Sequence, residues 1–312
     1  MSEKLKVSFI ICTFNRADYL RDSLQSLMRS ASDLPVEVLV VDNNSTDSTP
    51  AVCLESEAAA IEKHLKFKYV RETRQGLSFA RNRGIREASA PIVIFLDDDI
   101  SVPDSFADAW IRFFLSFPEA KAAGGKIHVQ FDDPRPKWMS SYLLPLLGHH
   151  DFGDSIKPYN SKEYPFGGNM AFKKNLFEEI GYFNTELGRI GSDLKASEEK
   201  ELFQRIKKNN GPIYYVPDAF LYHRVNASRL TKEYIKRQAI GLGQSIKLQM
   251  KKQSAASKAL TVAEETGKWM ATALLFLYYC LKFEASKGVA LFQFRNWIRK
   301  GLFYQTDNRT TV

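Results

Sequence analysis

The chain has 312 residues, 44% hydrophobic and 26% charged, which excludes a largely disordered protein and allows one large α/β domain plus a smaller appendage. Its three cysteines, Cys12, Cys53 and Cys280, include no CxxC pair, which excludes a disulfide framework or zinc cluster and suits a reducing compartment. The net charge of +8 is concentrated in Lys232–Lys252 and Lys282–Lys300; no recognition motif accompanies it, so nucleic acid is not an expected partner.

The first residues, MSEKLKVSFIICTFNR, do not form a signal peptide: the apolar run is short and ends in a polar turn, and the expected location is cytoplasmic. Val7–Cys12, Val36–Val41, Phe67–Val70 and Ile92–Leu96 are nearly continuous apolar runs, as strands buried on both faces are. Leu20, Leu24, Leu27 and Met28 between the first two fall at helical spacing, with Asp18 placed to cap the start, and Leu77–Ala88 supplies a later helix. This order predicts a mostly parallel, Rossmann-like sheet flanked by helices. Asp104 opens a helix with Phe106, Trp110, Phe113 and Phe117 on one stripe, and Ala122–Phe131 reads as a strand. Residues 138 to 165 read as a loop in which His149 and His150 are solvated. Ser197–Lys208 is again helical, Ile213–Val216 is a short strand, and from about Leu230 the pattern is helical throughout. The expected division is residues 1–228, catalytic, and 229–312, a helical extension, with polar residues after Gln305.

Open parallel sheets bind ligands beyond the carboxyl ends of their strands. The polar residues there are Thr13, Asn15 and Arg16 after the first strand, Asp42, Asn43, Asn44, Ser45 and Asp47 after the second, and Asp97-Asp98-Asp99 after the fourth. Three adjacent carboxylates repel one another unless a cation is present, and hard oxygen ligands on a short turn suit Mg²⁺ or Mn²⁺. A turn that caps the next helix is the structural alternative.

The ordered set VSFIICTFNR, VEVLVVDNNSTD, RQGLSFARNRGI, IVIFLDDDI, FGGN and SEEKELFQRI resembles the family 2 glycosyltransferases of GT-A fold, over about two-thirds of the chain. The resemblance implies transfer of a sugar from a nucleotide diphosphate donor, most often a UDP-sugar, to an acceptor hydroxyl of a glycan or lipid-linked glycan. It implies that Asp42 hydrogen-bonds the base, with Thr13, Asn15, Arg16 and Asn44 beside it. Arg81 then lies near the base and diphosphate, preceded on the same loop by Arg74 and Gly76; the structural alternative for Arg81 is an ion pair with Asp42. Asp97 and Asp99 resemble the DxD pair that holds ribose and a Mn²⁺ or Mg²⁺ ion, Asp98 is its usually variable middle, counted with the nucleotide-binding residues because in some relatives it is the working position, and His223 matches a further metal ligand. Glu199 takes the position of the catalytic Asp, one methylene longer, with Glu198 before it; either could be the base. Glu201 matches an acceptor-side acid, and Gly167, Gly168 and Asn169 match a loop below the donor sugar. Glu at a helix start also complements the dipole whatever its function.

Trp269–Leu281 is apolar but thirteen residues long, short of the roughly twenty that span a bilayer. GVALFQFRNWIRKGLF downstream mixes aromatics with Arg and Lys as interfacial helices do. Two readings stand: attachment to a membrane surface, or a helical pair packed on the catalytic domain or a second subunit of a homodimer. The Q/RxxRW signature of processive synthases is absent from KRQAIGLGQ, so one sugar per encounter is expected. A sugar nucleotidyltransferase would need a GxGTR-like loop where TFNR stands, and a catalytically silent nucleotide-binding scaffold would not need the acids at 97–99 and 198–201.

Overall fold

The computed structural model describes residues 5–31, 34–187, 198–251 and 254–303. Ser197, the expected first residue of a helix, and the polar tail after Gln305 lie outside them. The chain divides into two compact units, residues 1–130 with 148–224, and residues 131–147 with 225–312. The cut expected at 228 lies just beyond this one and leaves Phe131–Leu147 with the catalytic part.

In the first unit the order is β1 (Val7–Thr13), α1 (Ala17–Ser30), β2 (Val36–Asp42), α2 (Thr49–Glu62), β3 (Lys66–Arg71), α3 (Leu77–Glu87), β4 (Ile92–Leu96), β5 (Ile100–Ser101) and α4 (Phe106–Ser116). There follow β6 (Ala122–Phe131), β7 (Lys157–Pro158), β8 (Asn169–Lys173), α5 (Leu176–Ile180), α6 (Glu198–Lys208) and β9 (Ile213–Val225). The sheet runs β3-β2-β1-β4-β8-β6-β9-β5, with β7 on β9. It is parallel from β3 to β4 and antiparallel from β8 onward. The strand β8 is too short and too mixed to stand out in the sequence, and β9 runs far past the expected Val216.

Alternation along buried strands explains their continuous apolar character. Phe9, Ile11, Val38 and Val40 face one core with Leu20, Leu24, Val52 and Trp110 from α1, α2 and α4. Ile10, Leu39, Val41 and Phe95 face the other, with Ala80, Ile85, Phe177 and Phe203 from α3, α5 and α6. Fully burying side chains of this size contributes on the order of 1.5–3 kcal/mol each. Glu37, buried in β2, accepts from the Ser8 hydroxyl at 2.6 Å and the Ser89 amide at 2.8 Å and pairs with Lys66 at 3.0 Å. Burial pushes its carboxyl up, but these partners outweigh that and hold it below the usual range.

Two expectations are corrected. Asp18 does not cap α1: its carboxylate is exposed, and Asp47 instead accepts from the Ala17 amide at 3.0 Å and from the Thr49 amide and hydroxyl at the start of α2. His150 is not solvated. It is 4% exposed, its Nε2 lies 2.6 Å from the Tyr159 hydroxyl, and its ring sits 4.4 Å from that of Phe166.

The second unit contains a 3₁₀ turn, Ser141–Leu147, and the helices α7 (Lys232–Lys251), α8 (Ala255–Leu281) and α9 (Ala285–Phe303). Small residues let α7 and α9 touch: a Cβ on Gly243 would lie 2.1 Å from the Ile298 carbonyl oxygen, and one on Gly301 2.2 Å from that of Ile240. Among the described residues no helix is long and apolar enough to cross a membrane.

Candidate active site

The carboxyl ends of β1, β2 and β4 lie side by side, because parallel pairing in register sets Thr13 opposite Asp42 and Ile11 opposite Leu96. The loops beyond them are stitched together. Asn43 donates its amide to the Thr13 carbonyl at 2.8 Å, and its side chain bridges the Arg74 carbonyl and the Gly76 amide at 2.7 and 2.8 Å. Asn15 and Asn44 both adopt left-handed backbone, at φ 52° and 69°, a turn conformation Asn tolerates better than most residues. Asn15 accepts from the Thr46 amide, and Asn44 from Arg71.

Asp42 is fully enclosed: Oδ1 accepts from the Ser45 amide and Oδ2 from the Tyr69 hydroxyl, each at 2.8 Å. Arg74 pairs with Glu72 through both ends of its guanidinium and lies over the Phe79 ring, with its side chain largely exposed.

Asp97 and Asp99 converge on His223, whereas Asp98 faces Thr13 and Arg16. Asp98 is buried, accepting from the Thr13 hydroxyl and Arg16, each at 2.7 Å. Burial pushes its carboxyl up to about 7, Asp99 adding to the rise and Arg16 and Thr13 opposing it. Arg16 also reaches Asp99 at 2.7 Å, so one guanidinium orients two carboxylates. His223 arrives from β9, which pairs with β5 so that Ile100 stands opposite it, and its Nε2 lies 3.3 Å from Asp99 Oδ1. Asp97, Asp99 and His223 each present one ligand atom within 4.8 Å of the other two. Two carboxylates and an imidazole form a donor set that Mn²⁺ or Mg²⁺ accepts, leaving room for phosphate and water. Burial and Asp99 together raise the Asp97 carboxyl, His223 and Arg81 opposing: the bare cluster crowds negative charge as a cation site does.

Arg81 corrects another expectation. It does not pair with Asp42 but donates to Glu198 at 3.0 Å and Glu199 at 2.8 Å, with Phe183 and Phe95 beneath its guanidinium. Both glutamates thus share one buried cation. Glu198 is fully buried, whereas the Glu199 side chain is 21% exposed and its Oε2 accepts from the Gly167 amide at 3.0 Å. Glu201 faces Arg205 of its own helix, which in turn caps the carbonyls that end α5. The Asn169 amide nitrogen donates to the Lys126 and Ala219 carbonyls and so ties the start of β8 to β6 and β9.

Gly167 and Gly168 join the two clusters. A Cβ on Gly167 would lie 1.8 Å from Glu199 Oε1, and one on Gly168 would lie 2.6 Å from Asp97 Oδ2. One peptide unit therefore separates the glutamate pair from the metal-ligand set. The structure brings together Thr13, Arg16, the three aspartates, His223, Arg81, Glu198, Glu199 and the glycine pair. Asn43 and Asp47, which position these loops, were visible in the sequence only as turn residues.

Comparison with known proteins agrees with this geometry. The sequence matches the family described as glycosyl transferase family 2 over residues 8–181. It is 22% identical over 227 residues to the glucosyl-dolichyl phosphate glucuronosyltransferase of Haloferax volcanii, covering 71% of this chain and 70% of that one. It is 26% identical over 204 residues to the poly-beta-1,6-N-acetyl-D-glucosamine synthase of Staphylococcus epidermidis, covering 63% of this chain but 46% of the relative. The fold is shared with the mannosyltransferase of Pyrobaculum calidifontis solved in complex with GDP-Man and Mn²⁺, at TM-score 0.60 and 20% identity over 97% of this chain and 88% of that one. The chain has the GT-A fold, is a glycosyltransferase, and belongs to glycosyltransferase family 2.

Proposed function

We propose that this glycosyltransferase inverts the anomeric centre in a single displacement, moving one sugar per encounter from a nucleotide diphosphate donor to a hydroxyl of a glycan or lipid-linked glycan. The observation that carries this reading is the one peptide unit, Gly167-Gly168, between Glu199 and Asp97. A base for the incoming hydroxyl and a charge-bearing site for the departing diphosphate must flank one reacting carbon, and the closeness of Glu199 and Asp97 to one glycine step supports that reading. The donor the resemblance implies is a UDP-sugar; the Pyrobaculum mannosyltransferase with GDP-Man supports a nucleotide-sugar of either base.

Glu199 is the base. Its Oε1 is held by Arg81 and its Oε2 by the Gly167 amide, which fix the carboxylate at the glycine step. Arg81 is a positioning residue, itself locked by buried Glu198. Asp97, Asp99 and His223 would hold the divalent ion, which when bound supplies positive charge against the leaving diphosphate. Arg16 and Thr13 keep the aspartate turn in shape. The absence of side chains at Gly167 and Gly168 lets Glu199 and Asp97 approach the same stretch of backbone, on either side of which the donor sugar would lie.

Glu199→Gln tests the assignment. Thermal shift with UDP- and GDP-sugars in the presence of Mn²⁺ should be close to that of the parent, while transfer to acceptor is abolished. Unchanged turnover would remove Glu199 from the role.

A further inference from the structure

The second unit carries a surface that the transferase chemistry does not use. Along α8, Met270, Leu274, Leu277, Tyr278 and Leu281 are all more than half exposed and fall on one arc of the helix. The opposite side of α8 packs on α9, through Thr272, Tyr279 and Phe276. At its end Phe283 is 98% exposed and holds φ 57°, a left-handed conformation that bulky side chains disfavour and that a helix terminus normally gives to Gly or Asn. A fully exposed aromatic ring in this conformation contributes nothing to the packing of the unit and points outward from the helix end. Beside this tip an open cleft of about 690 Å³ is lined by Ser141, Tyr142, Lys282 and Lys287, the last paired with Glu284.

Charge decides what covers the face. The second unit has 17 Lys and Arg against 7 Asp and Glu, whereas the first has 27 against 29, so the unit bearing the stripe carries more than the whole positive balance of the chain. Two copies brought together through this unit would repel. An anionic bilayer would attract it while taking up the apolar arc and the Phe283 ring.

We infer that α8 lies in the surface of an anionic membrane, its Met270–Leu281 arc in the headgroup–acyl boundary and Phe283 inserted beside the lysines. The helix lies on the bilayer and does not cross it. This inference is independent of the donor and of the base assignment, and concerns only where the enzyme works.

The test is flotation of the full chain with phosphatidylcholine vesicles with and without roughly 30% phosphatidylglycerol. Two variants accompany it: Leu277→Asp with Leu281→Asp, and Phe283→Gly. The second relieves the left-handed strain, so it should melt no lower than the parent and yet bind less. The parent should float with anionic vesicles and not with neutral ones, and both variants should lower the bound fraction by about tenfold or more. Each variant should keep its donor-dependent thermal shift, which separates failure here from failure of the transferase reading. No flotation, flotation unaffected by Phe283→Gly, or a dimer in light scattering that the double variant dissociates would each overturn the inference.

Discussion

Gly167→Ala is the substitution on which the active-site geometry is most exposed. The new methyl carbon would stand 1.8 Å from Glu199 Oε1, 2.4 Å from its Cδ and 2.5 Å from Arg81 Nη2, whereas real Cβ contacts do not fall below 3.0 Å. The oxygen must retreat by more than about 1 Å, and a misplacement of that size costs on the order of 10²-fold in rate. Neither neighbour yields easily, because Arg81 is held by Glu198 and lies against two aromatic rings. We expect kcat for sugar transfer to fall about a hundredfold while donor affinity changes less than about twofold, the pattern of an interaction made in the transition state. Transfer is followed by release of nucleoside diphosphate, and donor binding by calorimetry with Mn²⁺. Gly241→Ala is the control: nothing lies within 4 Å of its Cβ, and a mid-helix Gly replaced by Ala should gain about 0.5–1 kcal/mol with transfer unchanged. Wild-type turnover in Gly167→Ala would refute the placement of Glu199 against the glycine step.

Three further outcomes follow from the same geometry. Arg81→Leu strips the partner from buried Glu198, and urea titration should show a loss of about 3–5 kcal/mol. Chelation should remove the thermal stabilisation given by the donor, about 2.7 kcal/mol at a hundred times Kd, and added Mn²⁺ should restore it; a donor shift that survives chelation argues against the Asp97–Asp99–His223 site. His150 is held down to about 4, chiefly by burial, with His149 adding to the fall and Asp151 opposing it. Its folded form resists protonation while the unfolded form accepts a proton below about 6.5, so stability should drop by about 3 kcal/mol as pH falls from 6.5 to 4. In His150→Leu this share of the pH dependence should disappear, although the unpaired Tyr159 hydroxyl lowers stability at every pH.

The parallel half of the fold was legible because strands buried on both faces leave an unbroken apolar record, as Val36–Val41 does. The antiparallel half left less. Asn169–Lys173 begins with a polar residue whose burial depends on carbonyls of two other strands, and no local pattern reports that. Helix starts were misread for a related reason: Asp18 has the composition of a cap, but Asp47, thirty residues away in sequence, reaches the Ala17 amide first. His150 looked solvated because its neighbours are polar, while the rings that enclose it, Phe166, Tyr159 and Phe152, come from the chain that follows.

The acids at 97–99 and 198–201 were legible as a set, but their division of labour was not, because it depends on which carboxylate each cation reaches. Arg16 takes Asp98 and Asp99, and Arg81 takes Glu198 and Glu199. Of the glutamates, Glu198 is fully enclosed and anchors Arg81 while Glu199 keeps a face toward the glycine step; both aspartates are enclosed, and Asp99 differs from Asp98 in facing His223. On the proposed reading one glutamate fixes the arginine and the other acts as base. The exchange Glu198→Gln separates these roles: the amide can still accept from Arg81, so Glu199 should stay in place and transfer should persist, whereas a collapse of activity equal to that of Glu199→Gln would make Glu198 the base instead.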